Sequence, residues 1–223
     1  RPPLRGSDRG TKSVPTAYPP LRGNPPTVCA RGMSTDHSRV VAALAAIPRA
    51  RFLPEDVRDQ AAVDGPLPIG HGATNSQPWT VQFMLELLHL TEGARVLDVG
   101  SGSGWTTALI GQLVGPKGSV LGVEAVPELV SFGRDNLAAF HLPWTQIEPA
   151  TPGVLGAPQD GPFDRILVSA DARELPTDLE AQLAVGGRMV VPASGVMWVV
   201  DREHDGWHRE PIAGYRFAFV PLV

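Results

Sequence analysis

The sequence predicts an α/β fold: a doubly wound, mostly parallel sheet with extra helices on its N-terminal side and a β-hairpin at its C-terminal edge. Three observations carry that reading. From residue 95 onward, short apolar runs alternate with segments of helical periodicity. The first such run ends in a glycine cluster, VLDVGSGSG over 96–104, which separates a buried strand from a following helix. Near the C-terminus, two strand-like runs flank His204-Asp205-Gly206, a hairpin signal. Hydrophobic residues make up 43% of the 223 and charged residues 19%, enough for one core of ordinary size. No run approaches ~18 consecutive apolar residues, so no membrane-spanning helix is expected.

Residues 1–32 stand apart. They carry Arg1, Arg5, Arg9, Lys12, Arg22 and Arg31 against Asp8, a net charge of +5, so that 33–223 carries −9 of the whole chain's −4. They also hold Pro2, Pro3, Pro15, Pro19, Pro20, Pro25 and Pro26 and show no apolar period, which reads as a disordered Pro/Arg-rich extension. The folded domain is expected over 33–223. Its acidic balance argues against nucleic acid as a partner, and nothing points to a membrane partner. No apolar leader opens the chain. The single cysteine, Cys29, forms neither an intrachain disulfide nor a multi-cysteine zinc site. His37, His71, His89, His141, His204 and His208 lack ligand spacing, so no metal is expected. The default is a monomer in a reducing cytoplasm. A chain begun at Met33 is predicted to keep its fold and activity; loss of soluble protein on that deletion would make the extension structural.

Within the domain, Ser34 and Asp36 cap a helix carrying Val40, Val41, Leu44 and Ile47, stopped by Pro48. Residues 48–75 are rich in Pro and Gly but too apolar for a linker, which suggests an ordered loop system with a short helix near 55–60. Ser76-Gln77-Pro78 opens a helix over 77–90, with Ser76 as its cap and Val81, Phe83, Met84, Leu87 and Leu88 inside. Then follow strand 95–99, helix 104–114, strand 119–124, helix 127–140, strand 163–170, a helix near 175–184, strand 186–194 and the hairpin of 196–212. Strands alternating with helices favour a parallel sheet covered on both faces.

The glycine cluster is the richest local signal. Gly100, Gly102 and Gly104 follow the strand at a spacing of two, where bare backbone can approach a ligand and a helix N-terminus begins. A dinucleotide fingerprint would need glycine at 105, where Trp105 stands, and no Gly-Lys-Ser/Thr ends the loop as a nucleotide P-loop requires. The remaining form, Asp-x-Gly-x-Gly-x-Gly, resembles the class I methyltransferases, which bind S-adenosylmethionine. In that reading Gly100, Ser101, Gly102 and Gly104 face the cofactor. Glu124, followed by Ala125, ends the second strand where an acid meets ribose hydroxyls in doubly wound nucleotide-binding folds. Asp98 either orients the loop or faces the cofactor's ammonium.

LPIGHGATNSQPWTV (67–81) ahead of VLDVGSGSG, with AAIPRARFLP (45–54), FDRILVSADARELPTDLEAQLAVGGRMVVP (163–192) and the terminal FVPLV, resembles the protein-L-isoaspartate O-methyltransferase family, in the family's order. The resemblance implies methyl transfer from S-adenosylmethionine to the free carboxylate of an L-isoaspartyl residue in a protein or peptide. The ester then collapses to a succinimide and begins repair. It places the active serine at Ser76, with Ala73, Thr74 and Asn75 lining the junction of cofactor and substrate.

The chemistry agrees with the scarcity of catalytic groups. A free carboxylate, with a pKa of about 4, is already ionised at neutral pH. The site must aim it in line with the methyl group, which is catalysis by positioning. A serine hydroxyl and backbone N–H groups suffice, and His71 is expected to be a loop residue without a catalytic role. Two departures from the family pattern stand out. Thr151-Pro152-Gly153 replaces the usual Gly-Asp-Gly, so adenine recognition shifts to backbone near Gly153. Asn75 replaces the usual apolar residue beside the serine, where it can alter which carboxyl is accepted. A dedicated peptide aspartate O-methyltransferase and a cofactor-binding homologue without turnover remain alternatives.

Overall fold

The computed structural model describes residues 33–222. The extension of 1–32 and the side chain of Ser34 lie outside the described residues. Helix α1 (Met33–Ala46) begins ahead of both Ser34 and Asp36, so neither stands at its cap position. Asp36 instead sits in its first turn and binds His89 Nδ1 at 2.5 Å. Pro48 ends the helical stretch as expected. Two 3-10 segments follow, Arg49–Phe52 and Glu55–Gln60, the second at the position of the expected short helix.

The rest of the loop system holds a structure the pattern did not announce. Strands β1 (Leu67–Gly70) and β2 (Ala73–Asn75) form a small hairpin. Its turn is His71-Gly72, with φ of 53° and 76°, the positive pair that two-residue hairpin turns of the primed type require. His71 is thus an exposed turn residue. Helix α2 (Pro78–Leu88) starts at Pro78 with Gln77 at the cap position. This corrects the expectation that Ser76 caps it: Asp64 Oδ1 accepts the Trp79 N–H at 3.0 Å instead.

The main sheet comprises β3 (Arg95–Val99), β4 (Ser119–Glu124), β5 (Thr145–Pro149), β6 (Phe163–Val168), β7 (Leu183–Ala193), β8 (Val196–Arg202) and β9 (Trp207–Ile212). Its order is β5-β4-β3-β6-β7-β8-β9. The first five of these run parallel, whereas β8 pairs antiparallel with β7 and β9 antiparallel with β8. This is the doubly wound sheet with the hairpin edge that the sequence predicts, including the His204–Gly206 turn, where the Glu203 N–H donates to Gly206 O at 2.9 Å.

Alternating residues along each strand serve two separate cores. Val96, Val120, Ile147, Leu167 and Val190 pack under α1, α2, α3 (Trp105–Val114) and α4 (Pro127–Ala138). Leu97, Val99, Leu121, Ile166 and Met189 pack on the opposite face under Leu179, Leu155 and Leu175. The helix expected near 175–184 is a single turn, α5 (Thr177–Glu180). Pro176 precedes it, and Leu183 already pairs with Phe163 in the ladder, so the chain has no room for more.

Candidate active site at the switch point of the sheet

After β3 the chain winds outward through β4 and β5, then returns to the other side of β3 as β6. Such a reversal opens a crevice beyond the carboxyl ends of the two central strands. A cleft with a mostly polar lining lies there. One side is the 74–76 segment, the other is the 100–103 loop with Trp105 and Thr106, and Ser169 at the end of β6 closes it.

Backbone bonds hold the glycine loop. The N–H groups of Gly100 and Ser101 both donate to Val123 O, at 2.9 and 3.1 Å, and Gly104 N–H donates to Ser101 O at 2.8 Å. Gly102 N–H donates to Glu124 Oε2 at 2.8 Å, and Val126 N–H to Oε1 at 3.0 Å. Glu124 is therefore a buried anchor of the loop as well as an anion beside the cleft. Gly104 has φ +87°, and a Cβ there would meet Gly133 O and Ile147 Cδ1 at 3.0 Å. Its bareness serves the close approach of α3 to α4; Gly104 is not among the cleft-lining residues.

Asp98 is fully buried beneath the loop. Its Oδ2 accepts from Thr106 and Thr107 hydroxyls at 2.8 and 2.7 Å. Burial pushes its carboxyl up to about 6; the two threonine bonds oppose this and the charge of Glu124 adds to it. Among the described residues, Asp98 Oδ1 and Ser101 Oγ are buried without a hydrogen-bond partner. Two carboxylates, two unspent polar atoms and an uncluttered glycine loop suit a ligand that brings positive charge and polar edges. That fits the S-adenosylmethionine expected from the motif, whose sulfonium and ammonium are both cationic.

Ser76 is half-buried, and among the described residues its hydroxyl has no hydrogen-bond partner. Thr74 and Asn75 line the same cleft, whereas Ala73 packs with Leu67 and Ile69 behind it. Ala125 is exposed just past Glu124. Gly153 lies in an exposed turn closed by Val154 N–H to Thr151 O at 3.0 Å. That turn follows β5, the strand paired with β4, and so shares Glu124's end of the sheet without lining the cleft.

Sequence reasoning passed over one residue that organises the site. Arg49 is buried, 6% exposed. Its Nε donates to Asn75 Oδ1 at 2.7 Å, its Nη1 to Val63 O at 2.9 Å, and its Nη2 to Gly65 O, Asn75 O and Ser76 O at 2.7, 3.1 and 3.0 Å. The guanidinium also lies over the Trp105 ring, 5.6 Å from its centroid. Burial lowers its pKa to about 10, still charged at neutral pH. Ser103, Trp105, Thr106 and Ser169 were likewise not singled out. The switch-point rule applied to the ends of both central strands would have found Ser169.

The protein-L-isoaspartate(D-aspartate) O-methyltransferase family model matches residues 29–223. The chain is 43% identical over 190 residues to the protein-L-isoaspartate O-methyltransferase of Methanopyrus kandleri, covering 83% of this chain and 84% of that one. It is 44% identical over 188 residues to the enzyme of that name from Methanothrix thermoacetophila, covering 83% and 88%. Among solved structures it is similar to a Plasmodium falciparum protein described as a putative protein-L-isoaspartate O-methyltransferase in complex with S-adenosyl-L-homocysteine. The TM-score is 0.73 and the identity 26%, over 83% of this chain and 90% of that one.

Proposed function

The chain belongs to the protein-L-isoaspartate(D-aspartate) O-methyltransferase family, and from that premise we propose that it transfers a methyl group from S-adenosylmethionine to the free carboxylate of L-isoaspartyl residues in proteins and peptides. The observation that carries the reading is the cleft itself, in which Ser76, whose hydroxyl has no partner among the described residues, lines the same space as the glycine loop. S-adenosylmethionine supplies an electrophilic methyl on a good leaving group. The Gly100–Gly102 loop, Asp98 and Glu124 hold that cofactor, and Ser76 donates to the incoming carboxylate and aims one oxygen at the methyl. The carboxylate arrives ionised, so no residue has to take its proton. The methyl ester then loses methanol as the neighbouring backbone nitrogen closes a succinimide. Backbone groups near Gly153 would hold the adenine in place of the missing acid. In this reading the enzyme acts as a cytoplasmic monomer. Separately, no described helix is long and apolar enough to cross a membrane.

The test offers matched peptides containing L-isoaspartate, L-aspartate or asparagine with labelled S-adenosylmethionine. Base-labile methyl ester should form on the isoaspartyl peptide. Ester on the ordinary aspartyl peptide alone would overturn the repair reading.

Glu124→Ala should weaken cofactor binding about tenfold or more. The lost acceptor bonds to ribose are charge-assisted and worth roughly 1.5–3 kcal/mol each when shielded. Its bonds to Gly102 and Val126 add a second route to the same loss, because the loop loses its anchor. Unchanged affinity by calorimetry would remove Glu124 from the cofactor site.

A further inference from the structure

Asn75 stands between a guanidinium and a serine hydroxyl. On one side is Arg49, whose guanidinium only donates. The Nε–H of Arg49 therefore fixes Asn75 Oδ1 toward itself, at 2.7 Å, and the amide cannot be turned around. Asn75 Nδ2 must then point the other way, where it donates to Ser103 Oγ at 3.1 Å. Both residues are buried, Asn75 at 4% and Ser103 at 2% exposure, yet both line the cleft. Ser103 Oγ thus has one lone pair taken, and its proton is turned away from Asn75. Among the described residues no protein acceptor is recorded for that proton.

We propose that Arg49 and Asn75 form a one-way hydrogen-bond relay that sets Ser103 as a hydroxyl donor to a ligand carboxylate in the cleft. Asn75 is a positioning residue that acts through Ser103. The ligand chemistry is a carboxylate, which has two sources here: the amino-acid end of S-adenosylmethionine, or the isoaspartyl side chain. The proposal rests on the methyltransferase reading and adds to it a second hydroxyl donor besides Ser76. It also gives a physical reason for a polar residue at 75, where an apolar one would leave Arg49 Nε–H and Ser103 Oγ without this link.

Asn75→Asp separates this role from a structural one. An aspartate of nearly the same shape still accepts from Arg49, now as an ion pair with a buried cation. Its second oxygen can only accept, so Ser103 must turn its proton back toward residue 75 and away from the ligand. Folding stability should therefore hold or rise while ligand handling falls. The experiment measures S-adenosylhomocysteine affinity by calorimetry, isoaspartyl-peptide KM and kcat, and denaturant stability, for wild type, Asn75→Asp, Ser103→Ala and the double variant. Both single variants should lose about tenfold in one ligand parameter, and the double variant should lose no more than Ser103→Ala alone. A loss in S-adenosylhomocysteine affinity assigns the cofactor carboxylate, and a rise in peptide KM with unchanged cofactor affinity assigns the substrate. Wild-type-like parameters in Ser103→Ala, which removes a single hydroxyl, would overturn the relay even if Asn75→Asp did not fold. So would an effect of Asn75→Asp that persists undiminished in the Ser103→Ala background, since it would then act by charge alone. Failure of the wild type to methylate the isoaspartyl peptide would instead count against the functional reading, and the calorimetric arm would still decide the cofactor case.

Discussion

Arg49→Ala is expected to cost about 3–5 kcal/mol of folding stability, a larger loss than any single surface change in this chain would produce. The guanidinium gathers the carbonyl oxygens of Val63, Gly65, Asn75 and Ser76 and the amide oxygen of Asn75. These acceptors come from two stretches, the 61–65 loop and the 75–76 segment, that no regular ladder joins. Alanine leaves them facing a cavity, at about 1–3 kcal/mol for each acceptor that stays dry. Water entering the cavity offsets part of the sum, which brings the net to the range given. Lysine offers three donors from one point and cannot span the same acceptors, so Arg49→Lys should fall between wild type and alanine. Denaturant unfolding measures the difference. A loss below about 1 kcal/mol would mean that the carbonyls find other partners and that the 74–76 segment is held by the β1–β2 hairpin alone.

What could be read in advance follows how much apolar surface each element buries. Strands β3, β4, β6 and β7 are apolar runs buried on both faces, and their positions were legible for that reason. Strand β5 was not: TQIEP buries only Ile147, because it is the edge of the sheet. The β1–β2 hairpin is two short strands whose register depends on the positive φ of His71, a residue with no strong sequence signal for that conformation. Ser76, singled out through its motif, lines the cleft, but it does not cap α2 as its position suggests, since Asp64, twelve residues upstream, takes the donor a cap would take. Arg49 left no local trace either. Its hydrogen-bond partners are up to 27 residues away, and an arginine in the short stretch between Pro48 and Pro54 looks like surface until the fold closes around it.

Ser76→Ala should slow methyl transfer to an isoaspartyl peptide by roughly tenfold to a hundredfold while the cofactor still binds. The nucleophile is ionised before it arrives, so what the protein supplies is direction. The Ser76 hydroxyl is free of protein partners among the described residues and faces the cleft opposite the glycine loop, so its proton is available to a carboxylate. Losing that donor should raise the barrier by about 1–3 kcal/mol, which corresponds to the stated range of rates. The position of the residue also makes the test clean. A serine that capped α2 would cost about 1 kcal/mol of stability when removed, and rate and stability would fall together. Here Gln77 holds the cap position, Asp64 satisfies the Trp79 N–H, and Arg49 binds Ser76 through its backbone carbonyl, which alanine keeps. Stability of Ser76→Ala should therefore stay within about 0.5 kcal/mol of wild type. Single-turnover transfer with labelled cofactor, read beside denaturant unfolding, separates the two effects. Transfer at the wild-type rate would take Ser76 out of the mechanism and leave the backbone donors and Ser103 to aim the carboxylate. A slow variant that is equally unstable would return the serine to a structural role.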